Sequence, residues 1–279
     1  WLARGTGARR GAGLAWAFGL GHFAASLFWI VEPFFVDPAR HGWMAPFALV
    51  LLPGGLALFW GAAGALAGAA GGWRGALVWP VALGLAELAR GHLLGGFPWA
   101  QPGHAWVETP VVQLAAVIGA SGLTAVTLAL AALPVLGQAL RGRAGALAGA
   151  GVAVLLLGAG WGWGMARLGA PLPAGPGVQV RLVQPNAPQH LKWQPDLIPV
   201  WFERHLALTA APPAPGAPPP DLVIWSETAI PWLLEDAGIA FSMIAEAAQG
   251  ATVALGLNRL EGWDPRNALA VIDADGTYL

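Results

Sequence analysis

One acidic side chain lies where a catalytic group would be expected. Glu227 follows the apolar run Leu222–Trp225, and polar and proline-rich sequence bounds this run on both sides, so we predict a buried strand there. In an α/β sheet the chemistry lies outside the carboxyl ends of the strands, which makes Glu227 a candidate catalytic residue. The alternative is a structural carboxylate that accepts hydrogen bonds from the free amides of a helix N-terminus.

Composition narrows the chemistry that can accompany this carboxylate. The 279 residues contain no cysteine, which excludes disulfides, thiolate metal sites and a cysteine nucleophile from this chain. The six histidines show no ligand spacing, so we expect no metal site, and no cofactor is indicated. A net charge of −1 gives no indication of nucleic-acid binding.

Most of the chain has the composition of a membrane protein. Hydrophobic residues make up 56% of it and charged residues 10%, and the mean hydropathy is +0.59. Five stretches are long enough to cross a hydrocarbon core of roughly 30 Å, which takes about 20 helical residues. They cover residues 11–31, 43–72, 75–94, 109–140 and 144–166, so we predict a transmembrane domain of about five spans over residues 1–170.

The third predicted span contains two charged residues. Glu87 and Arg90 are three residues apart, which puts both side chains on one face of a helix. Ionisable residues inside a span usually pair with each other and face the interior of the bundle. We therefore expect a structural ion pair rather than a catalytic one.

The arginines beside the predicted spans give an orientation. One set of arginines precedes the first span or lies after the second and fourth spans. This set is larger than the set on the opposite side. The larger set is Arg4, Arg9, Arg10, Arg74, Arg141 and Arg143, and the smaller is Arg40, Arg90 and Arg167. Cytoplasmic loops carry the excess of basic residues, so the larger set is predicted to be cytoplasmic. An odd number of spans then places residues 171–279 on the periplasmic, extracytoplasmic side.

Residues 171–279 have the pattern of an α/β domain. Strands are predicted at 178–184, 222–225, 252–258 and 267–273, and helices near 195–209 and 236–249, with a proline-rich linker at 211–220. Asp275-Gly276 has the composition of a hairpin turn, and Tyr278-Leu279 would begin a returning strand. This length is short for an α/β sandwich, and the chain starts at Trp1 rather than methionine, so we expect a fragment.

Several of these segments together resemble one family. They are residues 184–193 (QPNAPQHLKW), 221–231 (DLVIWSETAIP) and 267–279, with Glu87-Leu-Ala-Arg90, Gly96-Phe-Pro-Trp99 and Phe28-Trp29 in the membrane part. The chain is similar over essentially its whole length to bacterial apolipoprotein N-acyltransferase, a membrane-embedded member of the nitrilase, or carbon–nitrogen hydrolase, superfamily. The resemblance implies a multi-span α-helical membrane domain followed by a truncated α/β nitrilase-like (αββα sandwich) catalytic domain over residues 171–279.

The resemblance also implies a reaction, its partners and its place in the cell. A cysteine thiolate takes an acyl chain from a phospholipid, and the α-amino group of a diacylated lipoprotein cysteine then takes the chain from the thioester. This lipoprotein biosynthesis occurs at the bacterial inner membrane. The family has eight spans, so two spans before residue 11, the second half of the catalytic domain and the last span would be missing here.

The resemblance further implies roles for individual residues. Glu227 matches the family's general base, which we expect Trp225 and Trp232 to bury, and Trp193 resembles a tryptophan near the acyl-binding region. The family's lysine and cysteine would lie beyond residue 279, so this chain alone is predicted to be inactive. Lys192 follows the first strand rather than the hairpin, and we expect it to be a solvated loop lysine.

Two other functions remain open from the sequence. A membrane-anchored nitrilase-type amidase would share the chemistry of Glu227 but act on a small amide, and it would not need five lipid-facing spans. A non-catalytic membrane protein, such as part of a transporter, would use the exported domain only for binding, and it should have polar or broken spans near the midplane. A lysine and then a cysteine encoded after residue 279 would identify the acyltransferase.

Overall fold

The computed structural model describes residues 7–172, 175, 177–188 and 190–278. The chain divides into two compact units, Trp1–Pro171 and Leu172–Leu279. Arg4 of the predicted cytoplasmic set, Gln189 of the QPNAPQHLKW segment and Leu279 of the predicted returning strand lie outside the described residues.

The first unit is helical. Its helices are α1 (Gly7–Ser26), α2 (Pro38–His41), α3 (Ala45–Ala70), α4 (Gly72–His92) and α5 (Ala115–Leu168), joined by short 3-10 segments. Among the described residues, three helical stretches are long and apolar enough to cross a membrane, namely Pro38–Ala70, Gly72–Gly95 and Pro110–Leu168. Helix α1 and the 3-10 segment Phe28–Phe35 meet at a bend of 49° and make a fourth if the pair is one span. The membrane character predicted from the composition is thereby supported by the helices themselves.

Helix α5 folds back on itself near its middle. Arg141 and Gly142 have non-helical backbone angles, and Gly142 has a φ of 64°, which glycine adopts without strain. A side-chain carbon added at Gly145 would collide with the carbonyl of Gly137, so the two halves of α5 lie against each other. The break falls between the fourth and fifth predicted spans, and the division into five spans stays a prediction.

The predicted pairing of Glu87 with Arg90 is confirmed. Both side chains are 1% exposed or less, and the Arg90 Nη2 atom lies 2.6 Å from Glu87 Oε2. Arg90 Nε also donates to Glu87 Oε1 at 3.1 Å, and Trp60 Nε1 donates a third hydrogen bond to the carboxylate at 2.7 Å. The Arg90 guanidinium also donates to the backbone carbonyls of Phe97 and Trp99. A charge buried among apolar helices must be paired, and here the charges of Glu87 and Arg90 neutralise each other. The hydrogen bonds from Arg90 also hold the loop that follows α4 in place.

The second unit is a small α/β structure. Its elements are β1 (Val180–Val183), α6 (Ile198–Ala210), β2 (Leu222–Trp225), α7 (Gly238–Ala248), β3 (Thr252–Glu261) and β4 (Asp264–Ile272). The sheet order is β1-β2-β3-β4, with β1, β2 and β3 parallel and β4 antiparallel to β3. The predicted alternation of strands and helices is confirmed, and so is the strand at 222–225. This four-stranded mixed sheet by itself does not show an αββα sandwich.

One face of the sheet is buried and the other is open. Val223, Trp225, Val253, Leu255 and Leu257 form a core with residues of α6 and α7. Successive side chains of a strand point to opposite faces. Leu182 and Leu269, which neighbour the buried Val183 and Ala270, are accordingly 74% and 69% exposed. The helices therefore cover one face and leave an apolar face uncovered within this unit.

The chain turns back after β4. Gly276 has a φ of 80°, and Asp273 N donates to Thr277 O at 3.0 Å. Tyr278 forms an antiparallel bridge with Ile272. The turn predicted at Asp275-Gly276 is confirmed.

Candidate functional site

The candidate site lies where β1 and β2 end. These strands are parallel, and Val183 is paired with Trp225, so the residues that follow them meet at one edge of the sheet. Asn186 and Thr228 lie in the two connections with φ values of 52° and 47°, an uncommon conformation for residues with a side chain. Glu227 therefore sits in a tightly turned segment at the sheet edge where α/β proteins place their chemistry.

Strand β3 holds the backbone around Glu227. Ala229 N donates to Gly256 O at 2.7 Å, and Gly256 N donates to Ser226 O at 3.3 Å. A Cβ atom at position 256 would lie 2.7 Å from both Glu227 Cα and Thr228 N. Only glycine permits this approach, so Gly256 is what lets the turn close against the sheet.

A side chain on β4 holds the carboxylate. Asn267 Nδ2 donates a short hydrogen bond to Glu227 Oε1. This partner is a side-chain amide on β4, two strands away from β2 in the sheet, whereas the structural alternative required backbone amides at a helix N-terminus. The Glu227 carboxylate is therefore held in position by a side chain of the sheet. Asn267 has no sequence signature beyond its place at the start of a predicted strand.

The expected burial of Glu227 is wrong. Trp225 lies in the core, where its Nε1 atom donates to Thr209 Oγ1 at 2.8 Å, so its ring is part of the core and does not cover the exposed Glu227 side chain. Trp232 is itself exposed, and the Glu227 side chain is exposed as well. Strand alternation explains the difference. The Trp225 side chain points to the face of the sheet that α6 covers, so it cannot also cover a residue beyond the end of the strand.

Lys192 lies in a turn, as expected, but it is partly buried beside Glu227 and not fully solvated. Its Nζ atom is 3.3 Å from the Glu227 carbonyl oxygen and 5.0 Å from the centre of the Trp193 ring. Burial lowers the pKa of Lys192, and the charge of Glu227 raises it. The chain folds back at Pro188, whose carbonyl accepts hydrogen bonds from the backbone of Leu191 and Lys192, and this turn carries the lysine to the site.

A cavity of about 500 Å³ opens beside the two charges. Trp193, Trp201 and Phe202 give it aromatic walls, and Glu227, Lys192 and His205 give it polar groups. Trp193 is 41% exposed, so its ring is accessible to a ligand. The exposed lining of the cavity is mixed, with aromatic rings beside several polar groups, and a concave site of this size can hold a small molecule or the end of a lipid chain.

His205 is a member of the site that the sequence did not indicate. It lies on α6, its Nδ1 atom is 2.8 Å from the Trp201 carbonyl oxygen, and its ring lies 4.5 Å from that of Trp225. Burial lowers the pKa of His205; the hydrogen bond to Trp201 raises it, and the charge of Lys192 lowers it further. A lone histidine without ligand spacing has no sequence signature, so only the packing of α6 on the sheet reveals it.

The arrangement can move a proton beside a bound apolar chain. A carboxylate fixed by Asn267 and Gly256 can accept a proton, and the Lys192 ammonium next to it can stabilise negative charge. Among the described residues no three His, Asp or Glu side chains converge as metal ligands would. The site therefore has the parts of a general base next to an aromatic pocket.

Acidification should destabilise the fold through His205. Burial lowers the pKa of His205 from its ordinary value of 6.5, so below that pH the unfolded chain takes up a proton that the folded chain resists. The free energy of unfolding then falls as the pH drops through 6.5, and it stops falling once the pH is low enough to protonate the folded state as well. We expect the thermal midpoint, measured in detergent, to fall less in His205→Phe than in the native chain. His190→Phe alters an exposed histidine of the same unit and should keep the native pH dependence; an equal fall in all three proteins would contradict the assignment.

Comparison with known proteins extends over both units. Residues 1–133 match the family description "Apolipoprotein N-acyltransferase N-terminal domain". A protein named apolipoprotein N-acyltransferase from Caulobacter vibrioides is 40% identical over 260 residues, which cover 90% of this chain and 48% of the relative. Proteins of the same name from Allorhizobium ampelinum and Rhizobium etli are 36% and 35% identical, and they cover 98% and 100% of this chain with 53% and 57% of their own length.

The chain thus spans about half the length of the curated relatives it matches. The matches include the membrane helices and the strand that ends before Glu227, since they extend over nearly the whole chain. The resemblance predicted from the sequence is therefore confirmed: this chain is related to the apolipoprotein N-acyltransferases.

Proposed function

We propose that this chain takes part in apolipoprotein N-acylation, with Glu227 as its general base. The observation that carries the proposal is the Glu227 carboxylate, held by Asn267 at the end of β2 and at the mouth of an aromatic cavity. The relatives' shared name supplies the reaction class. The substrates are a phospholipid acyl donor and a lipoprotein whose N-terminal cysteine carries a diacylglyceryl group.

The first half of the reaction forms a thioester. Glu227 takes the proton of a cysteine thiol, and the sulfur attacks the carbonyl carbon of the phospholipid ester. The carbon–oxygen ester bond breaks, the leaving oxygen takes the proton from Glu227, and a lysophospholipid departs. The thiol comes from outside these 279 residues, because they contain no cysteine.

The second half of the reaction consumes the thioester. The neutral α-amino group of the lipoprotein cysteine attacks the acyl carbon, a carbon–nitrogen bond forms and the carbon–sulfur bond breaks. Glu227 takes the proton that the amine loses and returns it to the sulfur, which restores the thiol. The same carboxylate serves both halves, so it must lie within reach of the sulfur, the leaving oxygen and the attacking amine.

The aromatic wall of the cavity suits the acyl chain. Trp193 lines the cavity and is partly exposed, and the adjacent Lys192 ammonium lies over its ring. An acyl chain gains from contact with such rings, while the nearby cation suits the negative charge that develops on a carbonyl oxygen. Trp193 is accordingly proposed as a substrate-binding residue.

The second unit is proposed to be one half of a nitrilase-like αββα sandwich, namely one sheet and the helices on its outer face. Its helices cover one face of the sheet, and Leu182 and Leu269 expose apolar surface on the other. An apolar sheet face needs a partner, and a second sheet packed at about 10 Å would supply one. This feature supports the sandwich over an isolated open sheet.

The proposed location is the bacterial inner membrane, with residues 171–279 on the periplasmic side. Arg9, Arg10, Arg74, Arg141 and Arg143 lie at ends or breaks of helices on the side predicted to be cytoplasmic. Lipoproteins receive their last acyl chain outside the cytoplasm under this proposal, which agrees with a site in the second unit. The relatives favour neither the amidase nor the non-catalytic alternative.

A hybrid enzyme tests the proposed reaction. This chain is joined to the part of the Caulobacter vibrioides relative that follows the matched segment, and transfer of radiolabelled acyl chains from phospholipid to a diacylated lipopeptide is measured. We expect transfer by the hybrid and none by the 279-residue chain alone, since that chain contains no thiol. Transfer by the chain alone, or a membrane-inserted hybrid that transfers nothing while the relative does, would contradict the proposal.

Reporter fusions test the proposed location. A reporter that is active only outside the cytoplasm should be active when fused within residues 211–220, and a reporter that is active only inside should be active next to Arg74 and at Arg141 to Arg143. Both reporters are also fused directly after residue 31, in the loop that follows the first predicted span. This loop is predicted to lie outside the cytoplasm, so these fusions serve as a control for the opposite side of the membrane. Cytoplasmic activity of the fusion at 211–220 would overturn the orientation and with it the proposed substrates.

A further inference from the structure

The cavity beside Glu227 contains a buried nitrogen without a hydrogen-bond partner. Among the described residues, His205 Nε2 is the buried side-chain nitrogen or oxygen for which no partner is present. The side chain is 3% exposed, and it lines the same cavity as Glu227 and Lys192. A buried polar atom left unpaired is costly, so its partner is expected to be something that enters the cavity.

The other ring nitrogen determines what that partner must be. His205 Nδ1 lies 2.8 Å from the Trp201 carbonyl oxygen, which can only accept, so Nδ1 carries the proton. In the neutral ring Nε2 is then an acceptor, and its partner must offer an N–H or O–H group. The ring lies against Trp225, whose own N–H is engaged by Thr209, so the direction of the Nε2 lone pair is fixed.

The charges of the cavity restrict which chemical groups can donate a hydrogen bond to His205 Nε2. The Lys192 ammonium opposes a second cation, whereas the Glu227 carboxylate and the Nε2 lone pair both favour a group that can donate. A neutral primary amine meets all three conditions. It offers one N–H to the imidazole and keeps its own lone pair, which is the form in which an amine attacks a thioester.

We propose that His205 Nε2 accepts a hydrogen bond from the neutral primary amine of the acyl acceptor and so orients that amine in the cavity. This rests on the proposed function and assigns a substrate-binding residue to its second half. His205 neither gains nor loses a proton, because Nδ1 keeps its own throughout. The proton that the amine loses on attack still goes to Glu227.

Binding of an amine probe to the 279-residue chain tests this proposal without requiring turnover. The probe is a synthetic S-diacylglyceryl cysteinyl peptide with a free α-amino group, and its matched control has an N,N-dimethylated α-amino group, which offers no N–H when neutral. His205→Phe keeps the ring against Trp225 but removes the acceptor, while His205→Gln restores an acceptor oxygen. We expect the free-amine peptide to bind about tenfold more weakly to His205→Phe and near the native level to His205→Gln. The dimethylated peptide should bind the native chain and His205→Phe equally.

Nitrogen NMR of histidine-labelled chain identifies the atom that is contacted. The resonance of unprotonated Nε2, assigned by its loss in His205→Phe, should shift with the free-amine peptide and stay in place with the dimethylated peptide. A shift caused by phosphatidylethanolamine micelles alone would identify a lipid headgroup amine as the donor and overturn the assignment to the acceptor. Tight binding of the free-amine peptide with no dependence on position 205 would overturn the role of His205 and leave the proposed reaction standing. Absence of peptide binding to the native chain would overturn the proposed acceptor, and the role of His205 with it.

Discussion

The candidate site depends on the close approach of β3 to the turn that follows β2. Gly256 exchanges backbone hydrogen bonds with that turn, and a side chain at this position would collide with the backbone of Glu227. Asn267, which holds the carboxylate, lies on β4 opposite Asn258 of β3. One strand register therefore fixes both the backbone and the carboxylate of Glu227, and a shift by one residue would turn Asn267 to the other face.

In each unit one basic side chain, Arg90 or Lys192, donates hydrogen bonds to a segment of backbone. In the first unit the buried Glu87–Arg90 pair donates to the loop after α4. In the second unit Lys192 reaches the backbone carbonyl of Glu227. The difference lies in the surroundings: the ion pair is closed off among helices, whereas Lys192 and Glu227 face a cavity that a ligand can enter. The first arrangement suits a structural role and the second suits chemistry.

Local patterns were sufficient to predict the elements but not the contacts between them. The strand at 222–225, the turn at Asp275-Gly276 and the pairing of Glu87 with Arg90 depend on residues close in sequence, and the sequence predicts all three. Lys192 and Asn267 lie 35 and 40 residues from Glu227, and no periodicity reports a contact at that separation. His205 was missed for the same reason, because its partners in the cavity come from other elements. The predicted burial of Glu227 is wrong because a residue near Trp225 in the sequence need not share its buried environment.

The central claim is that Glu227 activates the thiol of the acyl transfer, and one measurement tests it directly. In the hybrid enzyme, the acylated cysteine formed in a single turnover from phospholipid is quantified by mass spectrometry for native protein, Glu227→Gln and the exposed control Glu246→Gln. The glutamine keeps the shape of the side chain and an oxygen for Asn267, so the thermal midpoint should change little. We expect acylation in Glu227→Gln to fall by roughly 10²–10⁴-fold and acylation in Glu246→Gln to stay at the native level. Acylation of Glu227→Gln at the native rate would contradict the central claim.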